Sequence, residues 1–178
     1  MRARTKKLTV CAMFAALGAV VLLVGGAIGI GTYAAPVMAG FMVIPVRREL
    51  GVKYALAVWI VTGALTLMLS GDREMALVYI AIFGWYPAAK PALDRLGAVG
   101  WVIKLVAFNA IAAGLYMALF AVMGGMAALG FDSTAAALVM LAVGDAVFII
   151  YDIALKNLDR LYMKKLRARL FPGRGKDE

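Results

Sequence analysis

Long apolar runs separated by short charged turns make up nearly the whole chain. The runs cover residues 8–30, 34–46, 54–69, 75–89, 99–123 and 134–155. A helix that crosses a bilayer needs about 20 mostly apolar residues, so the pattern predicts six transmembrane helices in one compact all-α bundle. The second run is short, which predicts a tilted helix or one that borrows residues from the preceding loop. The fourth ends in Trp85-Tyr86-Pro87, which reads as an aromatic interface belt closed by a helix-ending proline.

The turns assign the sides. Basic residues collect on the cytoplasmic side of membrane proteins. When the turns are placed alternately on two sides, only Arg73 of the 19 Lys and Arg residues falls on the outer one. This predicts six spans with both termini cytoplasmic. Residues 1–7 form a basic leader, 8–155 the membrane domain, and 156–178 a basic amphipathic extension and tail. The leader and first run also resemble a signal peptide, but about 23 apolar residues exceed the 7–15 of a signal core, so a retained first span is expected.

Composition agrees. The chain is 65% hydrophobic and 16% charged, which excludes an ordinary water-soluble domain. The formal net charge of +9 sits beside the apolar runs, where it orients the chain and meets anionic lipid, so nucleic acid is not expected as a partner. One cysteine, Cys11, excludes an internal disulfide. With no histidine in the chain, the usual metal and haem ligand sets are missing. No phosphate-binding glycine loop, triad or metallopeptidase motif is present either. No enzyme activity, cofactor or metal is expected.

At about 100° per residue, Ala12, Ala15, Ala16 and Ala19 share one face of the first helix, while Val10, Met13, Phe14, Leu17 and Val21 share the other. A flat stripe of small residues lets another helix approach closely in a membrane. This face is the candidate docking surface.

Polar residues within the spans are the candidates for chemistry. Asp145 lies near the middle of the sixth span, where a carboxylate needs a partner or a wet cavity. Asn109, at similar depth on the fifth, is the obvious partner. A proton or cation site and a structural hydrogen bond both remain open for Asp145. Asp152, Lys156 and Asp159 follow on roughly the same face, and the spacing of Asp152 and Lys156 suits an intrahelical pair. Lys104 is expected to snorkel to the cytoplasmic surface. Thr62, Thr66 and Ser70 share a face of the third span with Trp59. They could bond back to their own helix or, with Tyr33, Arg73 and Tyr79, line an outward-facing ligand pocket. Asp72 is placed to cap the fourth helix.

The size, the six predicted spans and the opening Thr5-Lys-Lys-Leu-Thr-Val-Cys-Ala12-Met-Phe-Ala-Ala16-Leu-Gly-Ala19 together resemble the substrate-binding S components of energy-coupling factor transporters, the prokaryotic vitamin importers. Ala12 and Ala16 match the family's Ala-x-x-x-Ala motif, and Ala15 and Ala19 match it one register on. The stretch Gly71-Asp-Arg-Glu-Met-Ala-Leu-Val-Tyr79 followed by Phe83-Gly-Trp-Tyr-Pro87 is similar to an uncharacterised group of six-helix bacterial membrane proteins. The S-component resemblance implies a subunit that binds a vitamin-like small molecule from outside, near Tyr33, the span-three hydroxyls, Arg73 and Tyr79. It also implies docking through the alanine face on a transmembrane coupling subunit attached to two ATPases. A self-sufficient proton-coupled permease using Asp145 and a non-transporting envelope-assembly scaffold stay open as alternatives.

Overall fold

The structure, a computed structural model, describes residues 2–28, 33–123 and 134–166. Among these, every regular element is helical: α1 (Arg2–Ile28), α2 (Ala34–Phe41), α3 (Val43–Leu50), α4 (Val52–Leu69), α5 (Arg73–Val78), α6 (Tyr86–Asp94), α7 (Gly97–Met123) and α8 (Thr134–Leu161). A π-helical turn, Tyr79–Phe83, extends α5, and another, Tyr162–Leu166, extends α8. Four stretches, Thr5–Ile28, Val52–Leu69, Arg73–Asp94 and Gly97–Ala118, are long and apolar enough to cross a membrane. Their outward faces expose large apolar side chains such as Ile60, Met68, Val102, Val106 and Met117, the surface expected of helices solvated by lipid rather than water.

Gly29 and Gly31 at the end of the first apolar run, and Arg167 and Arg169 in the basic extension, lie outside the described residues. The basic leader is continuous with the bundle, because α1 is helical from Arg2 onward.

The short second run is central. Pro45 has no N–H to offer the carbonyl of Phe41, and its ring crowds that carbonyl. The helix is interrupted at Met42, and α3 begins at Val43. Together α2 and α3 touch α1, α4, α5, α6 and α8, and Ala35, Ala39, Val43 and Val46 are buried among them. Two short helices can follow the interior of the bundle where one straight helix would leave it.

Pro87 does not end the fourth apolar run. It sits in the first turn of α6, where a missing N–H costs nothing because the first N–H groups of a helix have no partner in the ladder. The helix-ending reading is corrected here. The effect of Pro87 is felt upstream, since the carbonyl of Phe83 loses its usual donor. The phenol of Tyr151 on α8 replaces it at 3.0 Å. Other carbonyls of the π turn are claimed in the same way: Trp59 Nε1 donates to Ile80 O at 3.2 Å and Trp85 Nε1 to Ala81 O at 2.7 Å. A wide helical turn loosens the carbonyl ladder, and aromatic donors reoccupy it.

Two glycines make room for those donors. A Cβ on Gly84 would lie 2.3 Å from the Trp59 ring, and one on Gly40 would lie 2.2 Å from the Tyr151 hydroxyl. Around this point the rings of Phe83, Tyr86, Phe108, Phe148 and Tyr151 form the largest buried cluster. The Phe108 and Phe148 rings stack at 4.6 Å, and Tyr86 meets Phe148 edge-on at 4.9 Å. These contacts join α5 and α6 to α7 and α8.

Candidate functional site

The bundle has a basic end, formed by the C-termini of α3, α6 and α8 and the N-termini of α1, α4 and α7, and an opposite end where α4 turns into α5. Polar side chains concentrate at both.

At the opposite end, Asp72 caps α5 by accepting from Met75 N at 2.9 Å, and Ser70 Oγ accepts from Asp72 N at 3.1 Å. Tyr33 donates to Glu74 Oε1 at 2.9 Å and lies 3.2 Å from the Tyr116 hydroxyl, which ties the entry of α2 to α5 and α7. Burial, reinforced by the bonds to Tyr116 and Glu74, raises the Tyr33 phenol well above its ordinary value. Arg73 is exposed and makes no ion pair among the described residues. Below this rim Thr62 and Thr66 are buried. Thr62 donates to Ala15 O of α1 at 3.3 Å, and Thr66 donates to Thr62 O at 2.8 Å. Tyr79 is fully buried beside the Thr62 side chain, and its phenol oxygen makes no hydrogen bond of normal geometry among the described residues. Of the six residues expected at a ligand pocket, Tyr33, Ser70 and Arg73 therefore lie toward the surface, while Thr62, Thr66 and Tyr79 lie in the packed interior.

At mid-depth, Asn109 Nδ2 donates to Asp145 Oδ1 at 2.8 Å and to Leu105 O at 3.0 Å. The amide thereby couples α7 to α8.

At the basic end, Asp152 organises a buried ion cluster. One oxygen, Oδ1, accepts from Tyr86 Oη and Lys90 Nζ of α6, and from Lys104 Nζ of α7 at 3.3 Å. Asp94 closes the group by pairing with Lys104 and, at 3.4 Å, with Lys90. Lys90, Lys104 and Asp152 are each less than a tenth exposed. Two lysines and two aspartates balance in charge, the condition under which buried ions are tolerated. Two expectations are corrected here. Lys104 does not snorkel, because a closer carboxylate lies across the helix interface. Asp152 bonds to α6 and α7 and not to Lys156, because it points into the bundle while Lys156 is exposed.

Beside this cluster a cleft of ≈ 130 Å³ opens between α3, α6 and α8. Arg48 grips Asp159 through Nε, at 2.7 Å, and Nη2. This bond holds the Arg48 guanidinium above its ordinary value. Tyr162 donates to Glu49 Oε1 at 3.2 Å and pins the same two helices. Arg47 donates its Nε to Ala88 O at 2.8 Å. Burial, together with the neighbouring Arg48, holds Arg47 below its ordinary value.

The alanine face of α1 is divided. Ala15 and Ala19 are buried in the bundle, Ala15 against Thr62, while Ala12 and Ala16 are exposed. The exposed pair continues toward the basic end through Thr9 and Thr5, which are also exposed. The Thr9 hydroxyl bonds back to Thr5 O at 3.0 Å, which leaves a shallow strip of small side chains.

No family model matches the chain, and no curated protein or solved structure matches it either.

Sequence reasoning placed the Asp72-Arg73-Glu74 turn at the rim but missed Tyr116 there, and Tyr86 and Lys90 in the ion cluster. For the cluster a signal existed: Lys104 and Asp152 are opposite charges set into apolar helices, and such charges are stable only when they face a partner. For Tyr116, one of several aromatic residues along α7, no signal was available.

Proposed function

We propose that the chain is the membrane-embedded substrate-binding subunit of a multi-subunit importer for a small molecule, a vitamin or similar micronutrient. In this reading six spans cross a prokaryotic plasma membrane with both termini cytoplasmic. The opposite end of the bundle faces outward and receives the ligand, and α1 docks on a transmembrane coupling subunit driven by ATPases.

The observation that carries the reading is the exposed strip Thr5, Thr9, Ala12 and Ala16 on α1. Among the described residues the inward packing of α1 is made by Phe14, Ala15, Ala19 and Leu22, which leaves Ala12 and Ala16 outside. In lipid, association gains nothing from hiding apolar surface, so close backbone approach across small residues is what remains to hold two helices together. The buried Tyr79 phenol, without a hydrogen bond of normal geometry among the described residues and placed below the Tyr33, Glu74 and Tyr116 rim, supports the ligand end. An unsatisfied buried hydroxyl costs about 1–3 kcal/mol, and a bound polar molecule or water would relieve it.

The test is gentle purification of the complete protein from its native membrane, followed by native mass spectrometry. A partner membrane subunit, ATPases and a retained small molecule are expected. Ala12→Trp and Ala16→Trp are expected to lose the partners while keeping the melting temperature of the isolated chain. Assembly of both variants at wild-type yield would refute the docking assignment.

A further inference from the structure

The cleft between α3, α6 and α8 holds more positive charge than its own ion pairs neutralise. Arg48 is consumed by Asp159. Lys90 belongs to the balanced cluster with Asp152, Asp94 and Lys104. Arg47 and Lys156 remain, and neither has a carboxylate partner among the described residues. The bond from Arg47 Nε to Ala88 O anchors the guanidinium at its root and leaves both terminal nitrogens without an acceptor among the described residues. Lys156 is unpaired for the reason already given: the carboxylate four residues before it turns inward.

From this geometry we infer that the cleft binds the phosphate group of an anionic lipid, with the Arg47 terminal nitrogens and the Lys156 ammonium as its donors. A guanidinium fixed at Nε presents its remaining N–H groups to a tetrahedral oxyanion as a fork, and a lysine adds a mobile point charge. Size narrows the ligand. A space of ≈ 130 Å³ is well below the roughly 300–1,000 Å³ of pockets that enclose drug-sized molecules. It suits a head-group phosphate and not a whole vitamin or nucleotide. The surroundings favour a phosphate that carries acyl chains, because Ile150 and Ile153, one to two turns before Lys156 on α8, are exposed and apolar. Basic pockets between membrane helices are also where anionic head groups bind. This inference is independent of any transport role.

The experiment uses the full chain in a mild non-ionic detergent, titrated with dioleoylphosphatidylglycerol or dioleoylphosphatidylcholine and read by native mass spectrometry. Inorganic phosphate serves as competitor. Wild type is expected to retain phosphatidylglycerol in preference to phosphatidylcholine. Lys156→Gln and Arg47→Gln are each expected to weaken that retention about tenfold, the worth of one charge-assisted contact. Lys53→Gln, with the same charge change on exposed α4 surface, should leave it unaltered. Retention that survives millimolar inorganic phosphate supports a lipid phosphate. If phosphate displaces the lipid and raises the melting temperature of wild type but not of Lys156→Gln, the donors stand and the source is free phosphate, which overturns the lipid assignment. Equal retention of the two lipids by wild type, equal retention by wild type and Lys156→Gln, or equal loss in all three variants overturns the site. Lys156 is exposed and makes no ion pair or hydrogen bond among the described residues, so its variant carries the test even if Arg47→Gln fails to fold.

Discussion

Lys90 of α6 donates to Asp152 of α8, and the same carboxylate oxygen receives Lys104 of α7. One acidic group thus fastens α6, α7 and α8 together. Removing one partner of a buried pair leaves the other charge stranded, which costs about 3–5 kcal/mol. Asp152→Asn is therefore expected to lower the thermal midpoint of the detergent-solubilised protein sharply. The double variant Asp152→Leu with Lys104→Met keeps the Lys90 and Asp94 pair and should be more stable than either single change. A double variant that loses the sum of the two singles would show that the cluster is not energetically coupled.

The Tyr151 phenol substitutes for the N–H that Pro87 lacks. Tyr151→Phe is expected to cost about 1–3 kcal/mol by orphaning the Phe83 carbonyl, and Gly40→Ala a similar amount by displacing the hydroxyl. In a Pro87→Ala background a backbone N–H returns to Phe83 O, and the cost of Tyr151→Phe should shrink. Gly114→Ala, where an added methyl meets nothing within 4 Å, should be neutral or stabilising by up to about 1 kcal/mol. Unfolding of the four variants side by side separates crowding from general sensitivity to substitution.

Tyr33 holds its proton more tightly in the folded chain than in the unfolded one, through burial and the bonds to Tyr116 and Glu74. Its contribution to stability is complete below the ordinary phenol value of ~10 and is lost as pH rises above that value through the raised folded one. Tyrosine ring-carbon NMR titration, assigned by Tyr33→Phe, should show this ring still neutral at a pH where an exposed tyrosine has ionised. Glu74→Gln should lower its transition. A Tyr33 midpoint at the ordinary value would contradict the geometry of the rim.

The local chemistry of individual turns was legible in the residues. The Asp72 cap on α5 follows from an acceptor side chain preceding a helix start, and the bond between Asn109 and Asp145 follows from two polar groups set into neighbouring apolar helices. Pro87 was legible as a discontinuity but not as the start of α6. The same ring is tolerated just inside a helix and excluded from its interior, and which case holds depends on what the freed carbonyl meets. Here it meets Tyr151, which is 68 residues away.

By itself the sequence determined an all-helical chain with stretches long and apolar enough to cross a membrane, because helix length, apolar content and terminal capping are set within a few turns. It also determined that one face of the first helix would be small. Only the tertiary structure decided how that face divides, with Ala15 and Ala19 turned inward and Ala12 and Ala16 left outside. It alone decided that Asp152 would answer Lys90 and Lys104 and leave Lys156 free. Helical spacing specifies which residues share a face, but the partner of a buried charge is whichever opposite charge another helix brings to the same depth, and that is a property of the packed bundle.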